Sequence, residues 1–200
     1  MRIFDGADFG AVEPGVVTIG SFDGVHLGHR AILSRLGAEA VRLGIARTVV
    51  TFTEHPRKVL GQDADKFSLL TTAQEKRTLL EACGVDQLVE LHFTPRLAGL
   101  NAEAFVRDFL QPELRMRGIV VGYDHRFGHD KRGNYPFLKA LGEKLGFGVA
   151  LVEEQSAGAS NISSTAIRNL LAAGNVERAA ELLTYPYVMT VRFGTAGSVE

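Results

Sequence analysis

Two β-branched apolar runs bracket one amphipathic stretch near the N-terminus, and no other feature limits the fold as strongly. Val16-Val17-Thr18-Ile19-Gly20 reads as a buried strand closed by glycine. Ile32, Leu33, Leu36, Ala40 and Leu43 then share one helical stripe. Ala46-Arg47-Thr48-Val49-Val50-Thr51-Phe52 reads as a second strand. A strand, helix and strand in this order form a βαβ unit with parallel strands and a right-handed crossover.

The alternation continues along the chain. A helix is expected from Thr72 to about Cys83, with Thr72 and Glu75 spaced as a capping box and Gly84 as its stop. A strand lies within Val85 to Phe93, and Asn101 caps a helix reaching Leu110. Gly118 to Gly122 is a strand, Tyr135 to Leu145 a helix and Gly148 to Val152 a strand. Helices over Ser163 to Ala173 and Val176 to Leu183 follow, separated by Gly174. The fold class is therefore α/β, a parallel sheet with helices on both faces. In such sheets ligands bind beyond the carboxyl ends of the strands. The loops after Gly20, Phe52 and Gly122 should then crowd one rim.

Composition serves mainly to exclude. At 200 residues, 46% hydrophobic and 22% charged, the chain can bury a core, and global disorder is not expected. A net charge of −1 offers no basic face for nucleic acid, yet leaves room for a small anionic ligand. Cys83 is the single cysteine, so no internal disulfide forms, which fits a reducing cytoplasm. The N-terminus has no signal-peptide pattern, and no apolar run reaches about 18 residues, so no membrane partner is expected. The oligomeric state is not legible. The expected organisation is one domain over residues 1–185 and a tail over residues 186–200.

Four constellations carry possible chemistry. In Gly20-Ser21-Phe22-Asp23-Gly24-Val25-His26-Leu27-Gly28-His29, three glycines let the backbone turn and approach a ligand closely. A helix starts near Val25 or His26, and its free N–H groups attract anions. His26 and His29 are i and i+3 on that turn, and both can donate to phosphate oxygens. Zinc is the rival. Its helical histidine pair is usually spaced i, i+4 with a glutamate between, and here the spacing differs and no third ligand is evident. In Asn161-Ile162-Ser163-Ser164-Thr165-Ala166-Ile167-Arg168, three hydroxyls and an arginine open a helix, as in a phosphate or pyrophosphate cradle. A serine cap beside a solvated arginine is the plainer alternative. The loop from Gly122 to Gly133 is dense in charge: Arg126, Lys131 and Arg132 can meet anions, and Asp124 can accept from a hydroxyl or ring N–H. Thr53-Glu54-His55-Pro56-Arg57 follows a strand and reads equally as a substrate contact or a simple turn.

Taken together, these residues resemble the nucleotidyltransferase superfamily with the HxGH signature. The Phe-Asp-Gly before that signature, joined to Ile162-Ser163-Ser164-Thr165-Ala166-Ile167-Arg168, resembles the adenylyltransferase module of bacterial FAD synthetases. The likeness spans roughly residues 15–187. It implies a Rossmann-like nucleotidyltransferase fold that transfers AMP from ATP to FMN with Mg²⁺, releasing pyrophosphate. It implies catalytic roles for His26, His29 and Arg168. It assigns ATP and phosphate binding to Gly20, Phe22, Asp23, Gly24, Gly28, Ser163, Ser164 and Thr165. Flavin or substrate contacts fall to His55, Asp124, Arg126 and Phe127, and no metal ligands are assigned. Position 125 is His where the family more usually has Phe. The Pro-Thr-x-Asn motif of the riboflavin kinase module is absent from these residues, so riboflavin phosphorylation is not expected of them. A different phosphorylated acceptor, or a non-catalytic nucleotide- or flavin-binding relative, stands as the alternative.

Overall fold

The computed structural model describes residues 1–6, 9–53, 68–92, 94–154, 156–157 and 160–189. His55 and residues 190–200 of the expected tail lie outside the described residues. Six strands form one parallel sheet: β1 (Arg2–Asp5), β2 (Gly15–Ile19), β3 (Ala46–Phe52), β4 (Gln87–Leu91), β5 (Met116–Gly122) and β6 (Gly148–Val152). Their order is β1-β4-β3-β2-β5-β6. From β2 the chain moves outward through β3 to β4, then returns to the other side of β2 for β5 and β6. The direction of travel reverses between β2 and β5, and ligands of open α/β sheets bind at such a switch point.

The strands bury alternate residues on opposite faces, as the two-residue repeat requires. Val17, Ile19, Val50, Val89, Ile119 and Val121 enter one core, packed by helix α5 (Tyr135–Leu145) through Leu138 and Leu141. The same face is covered by α4 (Ala102–Phe105), which runs on as a π turn over Val106–Leu110. Val16, Val49, Leu88 and Val120 enter a second core beneath α1 (Leu27–Leu43) and α2 (Ala73–Ala82). Each fully buried side chain of this size contributes roughly 1.5–3 kcal/mol of transfer free energy. A third cluster joins α6 (Ser164–Ala172) and α7 (Val176–Leu183) to Leu70 on the rim.

Sequence and structure agree on the helix stops and on most of the α1 stripe, where Leu33, Leu36 and Ala40 are buried; Leu43, at the helix's last turn, is exposed. The capping box is formed, with Glu75 N–H donating to Thr72 Oγ1 at 3.2 Å and Thr72 N–H to Glu75 at 2.7 Å. The corrections are local. The single helix expected from Asn101 is an α turn followed by a π turn. Strand β1, the short helix α3 (Pro95–Ala98) and the two-residue hairpin of β7 (Ser156–Ala157) and β8 (Ser160–Asn161) are additions. No helix among the described residues is long and apolar enough to cross a membrane.

Candidate functional site

The chain leaves β2 at Gly20 and turns tightly before α1. Within that turn Phe22 (φ 49°), Gly24 (φ 79°) and Val25 (φ 37°) are all left-handed. For Phe and β-branched Val this costs on the order of 1–3 kcal/mol each. Burial holds them there, since both side chains are almost fully enclosed. Gly24 has no such freedom to change, because a Cβ would stand 2.8 Å from Leu70 Cδ1. The strained turn delivers His26 as the N-cap of α1, 5% exposed.

His26 Nδ1 accepts the N–H of His29 at 3.4 Å. An accepting Nδ1 carries no proton, so the neutral ring carries its proton on Nε2. The two rings stack with centroids 3.7 Å apart and planes 16° from parallel, and Phe22 packs on His29 at 5.0 Å. Gly28 gives the His26 ring room, since a Cβ there would lie 3.3 Å from it. Burial pushes the His26 pKa down to about 4, outweighing the carboxylates of Asp23 and Asp124, with Arg168 acting in the same sense as burial. His29 is also driven well below 6.5, by burial first and then by His26 and Lys76. Both rings are therefore neutral donors at pH 7, set at a helix N-terminus with no acidic residue in its first turn. His29 Nδ1 is buried without a hydrogen-bond partner among the described residues.

Asp23 joins the two motifs. Its Oδ1 accepts from Leu70 N–H (2.9 Å), Thr71 N–H (3.1 Å) and Thr71 Oγ1 (3.3 Å). Its Oδ2 pairs with the Arg168 guanidinium, which also donates to Ser68 O at 2.6 Å. Ser164 donates to the Asp23 carbonyl at 3.0 Å. Next door, Gly24 N–H donates to Thr71 Oγ1 (3.2 Å), and Tyr185 donates to Gly24 O (2.7 Å). The two sequence motifs thus form one structural unit. Within it, Asp23 and Ser164, expected among the phosphate contacts, point their side chains at protein partners. Ser163 caps α6 through Ala166 N–H at 3.2 Å, and Thr165 is exposed.

Below this unit lies Lys76 of α2, absent from the expected site. Its ammonium donates to Thr51 Oγ1 (3.1 Å), Ser21 O (3.4 Å) and Phe52 O (3.4 Å), and so ties the ends of β2 and β3 together. A cleft opens there, lined by Ser21, Asp23, Phe52, Thr53, Thr71 and Lys76 among others. Thr71, Lys76 and Tyr185 carry no local signal beyond their residue type. Their roles come from long-range packing.

The loop after β5 sits beside this unit because β5 neighbours β2. Asp124 is exposed, and its charge acts on His26. Arg126 is exposed. Phe127 packs inward against Phe105 at 5.6 Å, so its ring braces the loop against the core. Asp130 pins the same loop to α4 by accepting from Ala102 N–H at 3.2 Å. His125 Nε2 is buried without a partner among the described residues, and burial pushes its pKa down to about 4.

Comparison with known proteins places this geometry in a family. A family profile described as FAD synthetase matches residues 10–166. The bifunctional riboflavin kinase/FMN adenylyltransferase of Escherichia coli (strain K12) is 37% identical over 88% of this chain and 56% of its own length. The chain thus spans about half the length of the bifunctional relatives it matches. A FAD synthetase of Listeria monocytogenes is 35% identical, over 88% of this chain and 70% of its own length. A Streptococcus pneumoniae crystal structure described as a macrolide-efflux protein superposes with a TM-score of 0.82 and 28% identity, covering 94% of this chain and 61% of that one. A pantoate-β-alanine ligase from Francisella tularensis shares the fold at a TM-score of 0.55 and 12% identity. With its HxGH turn and its Ile162–Arg168 segment fused into one unit at the switch point of a parallel sheet, this chain belongs to the FAD synthetase family.

Proposed function

We propose that the chain transfers AMP from ATP to FMN, forming FAD and pyrophosphate. The observation that carries this reading is the stacked, neutral His26–His29 pair at the N-terminus of α1, clamped through Asp23 to the helix bearing Arg168. The attacking group in such a transfer is a phosphate already largely ionised at pH 7, since its second pKa is about 6. No strong general base is needed, and neutral histidines suit that chemistry. Their role is to hold anions in line and to spread the charge of the leaving pyrophosphate. His26 presents Nε2–H, and the first-turn N–H groups of α1 add their dipoles. Arg168, against Asp23, and Lys76, against Ser21, supply positive charge beside the turn. The loop carrying Asp124 and Arg126 follows β5, and the Asp124 charge acts on His26, so this loop is the natural wall for the acceptor, with His55 as a further proposed contact.

Mg²⁺ belongs to this reading as the companion of the triphosphate, held mainly by phosphate oxygens and water. No cluster of three metal-ligating side chains forms among the described residues, and Asp23 is engaged by its protein partners. The test is direct. The protein is incubated with ATP, MgCl₂ and FMN, and FAD and pyrophosphate are followed by chromatography. Both products are expected in equal amounts. Pyrophosphate only with another phosphorylated acceptor would reassign the acceptor, and nucleotide binding without any turnover would refute the reading. His29→Ala should lower turnover at least tenfold in a chain that still folds, with a melting point lowered only by the lost ring packing, since one such hydrogen bond to a charged group is worth roughly 1.5–3 kcal/mol.

A further inference from the structure

Lys76 is a part-buried cation for which the described residues offer no counter-ion of its own. Its three donors meet two carbonyls and a hydroxyl, all neutral. The carboxylates whose charge reaches it are Glu90 of β4 and Asp23 of the turn. Glu90 is gripped by Arg77 through two N–H groups, and Asp23 is paired with Arg168. Among the described residues Lys76 makes no ion pair of its own. A strut between strand ends needs donors, not charge, and an amide or hydroxyl would supply them without the cost of desolvating an ammonium.

Two of the three contacts are 3.4 Å long, at the loose end for a hydrogen bond. The ammonium can trade them for a better partner. It also lines the cleft between Ser21, Thr53 and Thr71, and its charge is felt by His29. A group that enters this cleft meets Lys76 in its lining.

We infer that Lys76 is a binding residue for a phosphoryl group of a substrate, seated in the cleft between the HxGH turn and the start of α2. The inference rests on the proposed adenylyl transfer, in which two phosphate sources meet: the triphosphate of ATP and the phosphate of FMN. Both present anionic phosphoryl oxygens to an ammonium. A point charge suits this better than a planar guanidinium, which would need a fixed bidentate geometry.

The experiment compares the wild type with Lys76→Gln and Lys76→Arg. Melting curves, kcat, and KM for ATP and for FMN are measured, together with calorimetric binding of pyrophosphate and of FMN separately. Lys76→Gln should melt like the wild type but lose at least tenfold in kcat/KM, and Lys76→Arg should recover part of that loss. Weakened FMN binding with a raised KM for FMN assigns the acceptor phosphate, and weakened pyrophosphate binding with a lowered kcat assigns the donor. Unchanged kcat/KM and unchanged binding of both probes in Lys76→Gln would overturn the inference. Should that variant not fold, amine-reactive labelling of Lys76 in the wild type decides. Protection by pyrophosphate or by FMN supports the assignment, and protection by neither overturns it. A wild type that makes no FAD while pyrophosphate still protects Lys76 would sink the reaction and keep the anion site.

Discussion

His26 should make the fold sensitive to acid, and the size of the effect follows from its environment. In the folded chain its pKa is held near 4, against 6.5 for an ordinary histidine. Above pH 6.5 both folded and unfolded chains hold the ring neutral, and nothing is lost. Between pH 6.5 and about 4 the unfolded chain binds a proton that the folded chain refuses. Stability therefore falls as the pH falls through this window. The gap corresponds to about 3 kcal/mol once it is fully expressed. The perturbation is His26→Asn. Asparagine is a good N-cap and can still accept the His29 N–H, but it does not titrate. Urea unfolding of both proteins at pH 7.5, 6.0, 5.0 and 4.0 isolates the term, because the carboxylates common to both cancel. The wild type should lose about 3 kcal/mol more than His26→Asn across that range. Equal acid slopes would refute the reasoning, as would an NMR titration placing the His26 ring midpoint near 6.5.

Two further outcomes follow from the same unit. Asp23→Asn keeps an oxygen for Leu70 and Thr71 but takes the anion from a nearly buried pair with Arg168, and should cost about 2–4 kcal/mol, read as a lower midpoint in urea. A midpoint matching the wild type would show that the pair is not stabilising. Gly28→Ala should leave stability equal or slightly higher, since alanine favours the helix by up to about 1 kcal/mol, while FAD formation falls because the new methyl presses the His26 ring at 3.3 Å. Full activity in Gly28→Ala would mean that the ring position is not critical.

What could be read from the sequence was whatever is local. The βαβ unit and the Thr72–Glu75 box depend on periodicity and caps within a few residues, and sequence and structure coincide there. Strand β1 and the β7–β8 hairpin are two to four residues long, too short to show a period. The π turn after Phe105 needs one extra residue per turn, which no residue type announces. The same limit holds in the site. His26 and His29 were legible as a motif. The tautomer of His26 was not, because it depends on which N–H its Nδ1 meets. No role for Lys76 was legible because its partners, Ser21 and Thr51, are brought to it by two different strands.

The deeper divergence concerns which atoms of a motif are available to a ligand. The family resemblance assigns Asp23, Ser164 and Arg168 to the phosphates. The structure spends the Asp23 and Ser164 side chains on protein partners and stacks the two histidine rings on one another at the start of α1. Physics favours that division. A site for a polyphosphate must be rigid before the ligand arrives, or reorganisation consumes the binding energy. Rigidity between segments 145 residues apart requires a strong internal bond, and a nearly buried carboxylate–guanidinium pair supplies one. It follows that Asp23 should act on catalysis through geometry: a misplacement of about 1 Å can cost on the order of a hundredfold. Asp23→Asn should then lower kcat more than it raises KM for either substrate, whereas loss of a direct phosphate contact at Lys76 should register in KM or in anion binding.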